Sequence, residues 1–190
     1  MLPLMLQVQG RHIVVAGRGY AAQQRYEFAR EAGAERLSLF IIDQDGWACH
    51  AEAAIYERLP VKADLEGAAV VFVAGLGADD TGHIVRAARA VGALVNAEDV
   101  PEHCDFHVPS VVRRGDLLLT ASSGGKAPGF SRRIGRRLGE LFGPEWATRA
   151  QMVSEARARW RDEGRTKNEI IKLTDALIER EGWLKVREHV

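Results

Sequence analysis

The chain has 190 residues, of which 46% are hydrophobic and 27% charged, a composition typical of a water-soluble globular protein. Its 26 basic and 26 acidic residues give a formal net charge of zero, so no overall charge attracts nucleic acid or an anionic membrane. No apolar stretch approaches the roughly 20 residues of a membrane span, and no signal-peptide pattern is present. We therefore expect a cytoplasmic protein whose partners include neither nucleic acid nor a membrane.

The strongest pattern in the sequence lies between residues 11 and 43. A β-branched strand at 11–16 enters a G-x-G-x-x-A turn, a helical segment follows at 21–32, and a second apolar strand at 37–42 ends at Asp43. This order of strand, glycine turn, helix, strand and acid is typical of a dinucleotide site. A glycine turn with no ligand is the alternative, and it is weakened because all five parts occur together.

Each small residue of the turn has its own predicted role. Gly17 permits the tight turn, Gly19 lets a pyrophosphate approach the backbone, and Ala22 lets the helix pack on the sheet. The helix N-terminus then offers unpaired N–H groups to the phosphates. Asp43 follows at a spacing suited to the ribose hydroxyls, which favours NAD over NADP. Arg18 either points to solvent or lies along the phosphates.

The next segments continue the alternation of strand and helix. A buried strand is predicted at 68–74, a loop from Gly75, a helix capped by Asp80 or Thr81, and another strand at 93–96. This alternation predicts a doubly wound parallel sheet, with ligands at the carboxyl ends of its strands. After Pro101 the pattern changes to two strand-like runs, 106–112 and 116–121, and then to helices from Pro128 onward.

Two loops carry candidate chemistry. Glu98 and Asp99 follow the strand at 93–96, where a carboxylate can accept a proton from a substrate, although either residue would also suit a simple turn before Pro101. The small-residue loop at 122–128 can bind an anion through its backbone, with Lys126 adding charge, or it can be a plain strand-to-helix connection. Two arginine pairs, at 132–133 and 136–137, either grip carboxylates or form a solvated basic face.

The cysteines and histidines give little support for a resident metal. Cys49 and Cys104 stand far apart, so we expect two reduced thiols. His103 and His107 share residues 102–107 with Cys104 and with carboxylates, which are ligand types that suit iron, cobalt or zinc. Because alternate residues of a strand face opposite sides, ordinary structural histidines are favoured and no metal site is predicted.

Four motifs in series resemble a known family, the precorrin-2 dehydrogenase/sirohydrochlorin ferrochelatase module of siroheme synthase. The resemblance covers roughly residues 1–142. Its motifs are Gly17-Arg18-Gly19-Tyr20-Ala21-Ala22, Val95-Asn96-Ala97-Glu98-Asp99, Phe106-His107-Val108-Pro109-Ser110 and Ala121-Ser122-Ser123-Gly124-Gly125-Lys126-Ala127-Pro128.

The resemblance implies a fold, an activity and an assembly. The fold is α/β, with a Rossmann-like NAD-binding domain at 1–113, a small α+β dimerisation and tetrapyrrole-contacting segment at 114–145, and a helical C-terminal domain at 146–190. The activity is NAD-dependent oxidation of precorrin-2 to sirohydrochlorin, often followed by insertion of ferrous iron to give siroheme. The assembly is a homodimer.

The same resemblance assigns residues to roles. Asp99 falls on the catalytic aspartate, and Ser123 falls on the serine that borders the tetrapyrrole site. The cofactor-binding residues are then Gly17, Arg18, Gly19, Tyr20, Ala21, Asp43 and Gly75. The substrate-binding residues are Asn96, Ser122, Ser123, Gly124, Lys126 and Arg132.

The chain departs from the family pattern in its cofactor half. Arg18 replaces a glycine, Gln23 and Gln24 stand in a region that is usually basic, and the run from Gly75 to Gly77 replaces an Ala-Thr-Asp-like strand end. Two alternatives follow from these departures. One is a chelatase with a weakened NAD site, and the other is a non-catalytic module that binds a nucleotide or a tetrapyrrole.

Overall fold

A computed structural model describes residues 1–43 and 54–184 of the chain. The chain divides into two compact units, Met1–Val108 and Pro109–Val190. Arg113, near which the sequence suggested a boundary, lies in a strand of the second unit that pairs with its neighbour. The three-part division at residues 113 and 145 stays a prediction.

The first unit is built on a five-stranded sheet whose described pairs are all parallel. The strand order is β3-β2-β1-β4-β5. The elements are β1 (His12–Arg18), α1 (Gly19–Glu31), β2 (Arg36–Ile42), β3 (Ala54–Tyr56), β4 (Ala68–Ala74), α2 (Ala78–Ala90) and β5 (Leu94–Ala97).

Both faces of the sheet are covered, which explains why its central strands are nearly continuous apolar runs. One face packs on α1 through Ala22, Tyr26 and Ala29. The other packs on α2 through side chains that include Ile84 and Val85. The predicted doubly wound α/β architecture is therefore confirmed.

The strand order reverses between β1 and β4. From β1 the chain moves outward to β2 and β3, whereas β4 returns to the other side of β1 and leads to β5. At this point Gly17 of β1 pairs with Ala74 of β4, so the carboxyl ends of the two strands lie side by side. Ligands of open α/β sheets bind at such a reversal.

Several element boundaries differ from the prediction by one or two residues, and two predictions about element starts were wrong. Helix α2 begins at Ala78 with Gly77 as its N-cap, so Asp80 and Thr81 lie within its first turns and neither caps it. Asp80 instead places a negative charge at the positive end of the helix dipole. The strand expected at 106–112 begins only at Ser110, directly after Pro109, which has no N–H to donate to a strand ladder.

Up to residue 184, where the description ends, the second unit consists of a hairpin and three helices. Strands β6 (Ser110–Arg114) and β7 (Leu117–Ala121) are antiparallel. Thr166 caps the last helix in a capping box with Glu169, while α3 starts with a proline in its first turn. The predicted helical character after residue 128 is confirmed. The helices are α3 (Pro128–Leu141), α4 (Trp146–Asp162) and α5 (Lys167–Glu181).

Candidate functional site

Two glycines allow the ends of β1 and β4 to approach closely. A Cβ on Gly17 would collide with the Ala74 carbonyl oxygen and would lie 3.0 Å from the Ala22 Cβ. A Cβ on Gly75 would lie 2.7 Å from the Arg18 carbonyl oxygen, and Gly75 also has a φ of +69°. Neither position accepts a larger residue without displacement of backbone. The glycine turn is therefore tightly packed against the neighbouring strand.

The opposite side of the turn is open. Gly19 has a φ of +55°, and a Cβ built on it would meet no heavy atom within 4 Å in the described structure. At the N-terminus of α1, Arg18 makes no capping hydrogen bond and the first turn carries no acid, within the residues that the structure describes. The Tyr20 side chain is 72% exposed. The open backbone and uncapped N–H groups fit a bound pyrophosphate.

Asp43 lies directly beyond β2, the strand next to β1. Its φ is +76°, a left-handed conformation that aspartate and asparagine adopt more readily than most residues, and it is exposed. A carboxylate here is available to the two hydroxyls of a ribose whose phosphate lies on the glycine turn. Cys49, which the sequence predicts to be a reduced thiol, lies outside the residues that the structure describes.

Asp99 lies at the carboxyl end of β5, on the same edge of the sheet as the glycine turn. It is the third residue of a turn in which the Val100 N–H donates to the Ala97 carbonyl at 3.4 Å. Its φ is +56° and it is exposed. The turn thus presents a carboxylate at the edge where a substrate would meet the cofactor.

Asn96 has an interior position, although the resemblance assigned it to substrate. Its side-chain N–H donates to the Phe106 carbonyl at 2.9 Å, and the residue is only 6% exposed. Its Oδ1 atom is buried without a hydrogen-bond partner among the described residues. In this structure Asn96 holds the segment after β5 against the sheet.

Arg25 is a site residue that the sequence analysis missed. Its Nη2 lies 3.5 Å from Glu98 Oε1, so α1 is linked to the turn that carries Asp99. The Arg25 Nε is buried without a partner in the described part of the chain. Helical spacing was the available signal, because Arg25 is one turn after Ala22 and adjoins the stripe that packs on the sheet.

In the second unit, two serines shape the loop between β7 and α3. Ser123 Oγ accepts hydrogen bonds from the Ala127 N–H at 3.0 Å and from the Ser131 hydroxyl at 2.9 Å. Ser122 Oγ accepts from the Gly124 N–H at 3.2 Å, and Gly124 has a φ of +66°. The loop is therefore held in a defined conformation, with Lys126 exposed beside it.

Arg132 lines a groove between β6 and α3. The groove has a volume of about 310 Å³, and Arg113, Arg114 and Arg136 also line it. The Arg114 guanidinium donates to the backbone carbonyls of Phe142 at 2.7 Å and Gly139 at 3.1 Å, which fixes it in place. Arg113, Arg132 and Arg136 thus place three further cationic residues around one groove, which suits a ligand with several carboxylates.

No group of three or more His, Cys, Asp or Glu side chains within residues 1–43 and 54–184 is arranged to hold a metal ion. His103 and His107 are both half-buried. None of the helices that the structure describes has the length and apolar character required to cross a membrane.

Three features together define a dinucleotide-binding protein of the Rossmann type: a parallel sheet whose strand order reverses at β1 and β4, the glycine turn at that reversal, and the open N-terminus of α1. Sequence comparison agrees, since the profile of a family described as "Putative NAD(P)-binding" matches residues 4–110. The chain belongs to this NAD(P)-binding family. The residues at the turn fit a nicotinamide dinucleotide because the glycines leave room for its phosphates.

Two relatives found by sequence comparison are both named siroheme synthase. The chain is 28% identical over 161 residues to a siroheme synthase of Nitrosococcus oceani. That alignment covers 83% of this chain and 34% of the relative. The chain is 32% identical over 162 residues to a siroheme synthase of Ectopseudomonas mendocina, and this alignment covers 85% of the chain and 34% of the relative. The chain thus spans about a third of the length of these relatives.

A solved structure titled "SirC, precorrin-2 dehydrogenase" has the same fold. It superposes with a TM-score of 0.73 at 20% sequence identity, covering 98% of this chain and 94% of that one. At this level of identity the likeness establishes the architecture, which extends through the second unit.

Proposed function

We propose that this chain is a precorrin-2 dehydrogenase, which uses NAD to oxidise precorrin-2 to sirohydrochlorin. The observation that carries the proposal is the place of Asp99, a carboxylate at the end of β5 on the edge of the sheet that also bears the glycine turn. The names of the siroheme synthase relatives and of the structural neighbour support the choice of substrate.

The reaction removes two electrons and two protons from the tetrapyrrole. NAD, when bound, would supply the acceptor for a hydride, which is one hydrogen with both electrons, so that one proton is left for a protein group to take up. The Asp99 carboxylate accepts that proton as a general base. Arg25 pairs with the neighbouring Glu98, which favours a fixed position for the turn that presents Asp99.

We assign the cofactor as NAD because of Asp43. Its carboxylate can accept hydrogen bonds from both ribose hydroxyls, whereas a phosphate in place of one hydroxyl would be repelled by the negative charge. Gly17, Gly19 and Gly75 make room for the dinucleotide. Arg18, Tyr20 and Ala21 complete the proposed cofactor contacts.

We assign binding of the substrate carboxylates to the second unit. Lys126 and Arg132 supply charge, while Ser122, Ser123 and Gly124 lie on the neighbouring loop, which internal hydrogen bonds hold in a defined conformation. The substrate role that the resemblance implied for Asn96 is not carried over, because its side-chain N–H donates to the Phe106 carbonyl inside the first unit. Arg113 and Arg136, which line the same groove as Arg132, add to the attraction for a polyanion.

We also propose that the enzyme acts as a cytoplasmic homodimer. Helix α3 exposes Phe130 by 65%, Ile134 by 38% and Leu141 by 54%. These apolar side chains occur on one amphipathic helix, and a second copy of the chain would remove them from water.

The test is anaerobic mixing of precorrin-2 and NAD with the enzyme while NADH absorbance is followed. Wild-type protein is expected to form NADH, and Asp99→Ala is expected to lower kcat by at least about 100-fold, the size of a general-base contribution. Glu102→Ala is the matched control, since Glu102 is an exposed acid in the same loop. Equal turnover by wild type and Asp99→Ala would refute the assigned role of Asp99.

A chelatase that does not use NAD is the second candidate, with ferrous iron as its substrate. It is favoured by Arg18, a long exposed cation in the glycine turn. Calorimetric titration with NAD, with and without sirohydrochlorin present, separates the candidates, because the dehydrogenase requires bound NAD. If sirohydrochlorin binds and NAD does not, iron insertion distinguishes a chelatase from a non-catalytic binding module.

A further inference from the structure

We propose that Cys104 is a positioning residue for Asp99, an inference that rests on the dehydrogenase proposed above. The Cys104 Sγ lies 3.0 Å from the Ala97 carbonyl oxygen and 3.5 Å from the Val100 carbonyl oxygen. These two carbonyls belong to the first and last residues of the turn that contains Asp99. The thiol therefore bridges both ends of that turn.

The turn needs such support because its own bonding is weak. Its backbone hydrogen bond, from the Val100 N–H to the Ala97 carbonyl, is long at 3.4 Å. Asp99 has a φ of +56°, and a non-glycine residue adopts this region only where its surroundings hold it there. Without the bridge, other backbone conformations would compete and would direct the carboxylate elsewhere.

The base of the same loop is fixed separately. The Asp105 N–H donates to the Val95 carbonyl at 2.8 Å, and the Val95 N–H donates to the Asp105 carboxylate at 2.9 Å. Arg89 pairs with Asp105 at 2.9 Å. Loss of the thiol should thus loosen the turn while the base of the loop stays in place.

The thiol is oriented by its neighbours. The Asn96 side-chain N–H points at the Cys104 sulfur at 3.6 Å, so the sulfur accepts on that side and its own proton is left for the carbonyls. Cys104 also packs against the buried apolar cluster between the sheet and α2, as Val91 and Val100 do. Two substitutions at Cys104 therefore separate hydrogen bonding from packing, because serine keeps a hydrogen-bond donor at this position and alanine does not.

The kinetic test compares Cys104→Ala, Cys104→Ser and Val91→Ala with wild type. Cys104→Ala is expected to lower kcat by about five- to tenfold, the effect of one lost hydrogen bond, with KM for NAD unchanged. Cys104→Ser should recover most of kcat. Val91→Ala is the control for packing, as it trims the same apolar cluster without removing a donor, and its kcat should match wild type.

A second readout needs no turnover. Amide hydrogen exchange of Val100, which donates within the turn, should accelerate in Cys104→Ala and return toward wild type in Cys104→Ser. The Glu98 amide donates to the Val73 carbonyl at 2.9 Å and should exchange at an unchanged rate in all variants.

The outcomes separate this inference from the proposed function. If wild type turns over and Asp99→Ala does not, but Cys104→Ala keeps full kcat or shows unchanged Val100 exchange, the positioning role is wrong and the function stands. An equal loss of kcat in Val91→Ala also contradicts positioning. If wild type forms no NADH from precorrin-2, the proposed function fails and this inference fails with it.

Discussion

Gly75 faces the carbonyl oxygen of Arg18 so closely that a methyl group on Gly75 would lie 2.7 Å from it. This contact joins the loop after β4 to the glycine turn after β1, at the reversal of strand order. Because Arg18 immediately precedes α1, the contact also sets where the open N-terminus of the helix lies. The cofactor site thus depends on a glycine outside the G-x-G-x-x-A motif.

Gly75→Ala should weaken NAD binding. The added Cβ has to displace the Arg18 backbone, and alanine strains the φ of +69°. We expect the Kd for NAD, measured by calorimetry, to rise at least about tenfold, which corresponds to about 1.4 kcal/mol. Gly77→Ala in the same loop is the matched control, since its Cβ would meet nothing within 4 Å in the described structure. Similar Kd values for the two variants would contradict the contact's role.

Asp43→Asn should shift the cofactor preference. Asparagine tolerates the left-handed backbone at this position but removes the charge. Loss of charge-assisted hydrogen bonds should lower the affinity for NAD by about tenfold, and the affinity for NADP should rise as repulsion is removed. Asp79→Asn, an exposed acid in the first turn of α2, is the control. An unchanged ratio of NAD to NADP affinity would show that Asp43 does not contact the ribose.

The first unit should become less stable as the pH falls below neutral, because the folded chain disfavours protonation of His12. Burial, and then the nearby charge of Arg36, lower the pKa of His12 below 6.5, although a hydrogen bond to the Glu66 backbone opposes this. As the pH falls, His12 is therefore protonated at a higher pH in the unfolded chain than in the folded chain. The contribution of neutral His12 to the free energy of unfolding is present above pH 6.5 and is lost as the pH falls. Urea unfolding at about pH 7.5 and about pH 5.5, either side of the ordinary histidine pKa, measures the change.

His12→Gln should make the free energy of unfolding less dependent on pH over this interval than in wild type. His83→Gln is the control, because His83 is exposed on α2 and should leave the wild-type dependence intact. The same slope in both variants and in wild type would contradict the prediction.

Gly135→Ala should destabilise the second unit. A Cβ on Gly135 would collide with the Ser110 Oγ and would lie 2.9 Å from the Ser110 Cβ, so α3 could not stay packed on β6. Overpacking of this kind costs about 1–3 kcal/mol in the free energy of unfolding. Gly129→Ala, also in α3, has no neighbour within 4 Å among the described residues and should be neutral or stabilising. Equal thermal midpoints for the two variants would contradict this packing.

Local patterns allowed much of the first unit to be predicted. The buried strand β4 has the predicted bounds, 68–74, because a continuous apolar run ends at a glycine. The glycine turn and the end of β2 at Ile42 were predictable for similar reasons. The N-cap of α2 was not, since Gly77, Asp80 and Thr81 are all residues that can begin a helix, and only the packing of the loop selects among them.

Contacts between distant segments could not be predicted in the same way. The pairing of Arg25 with Glu98 and the contact of Gly75 with Arg18 both depend on which strands are neighbours. The hydrogen bond from the Asn96 side chain to the Phe106 carbonyl, between residues ten apart in the chain, likewise had no signal in the hydrophobic pattern. Tertiary structure therefore determined the details around the candidate catalytic carboxylate.

The most direct test of the central claim is the stoichiometry of the wild-type reaction. Precorrin-2 and NAD are mixed with the enzyme without oxygen, and sirohydrochlorin and NADH are quantified together over a full time course. A dehydrogenase transfers one hydride per molecule oxidised, so the two products should accumulate in equal amounts. Sirohydrochlorin without NADH, or no product of either kind, would contradict the account.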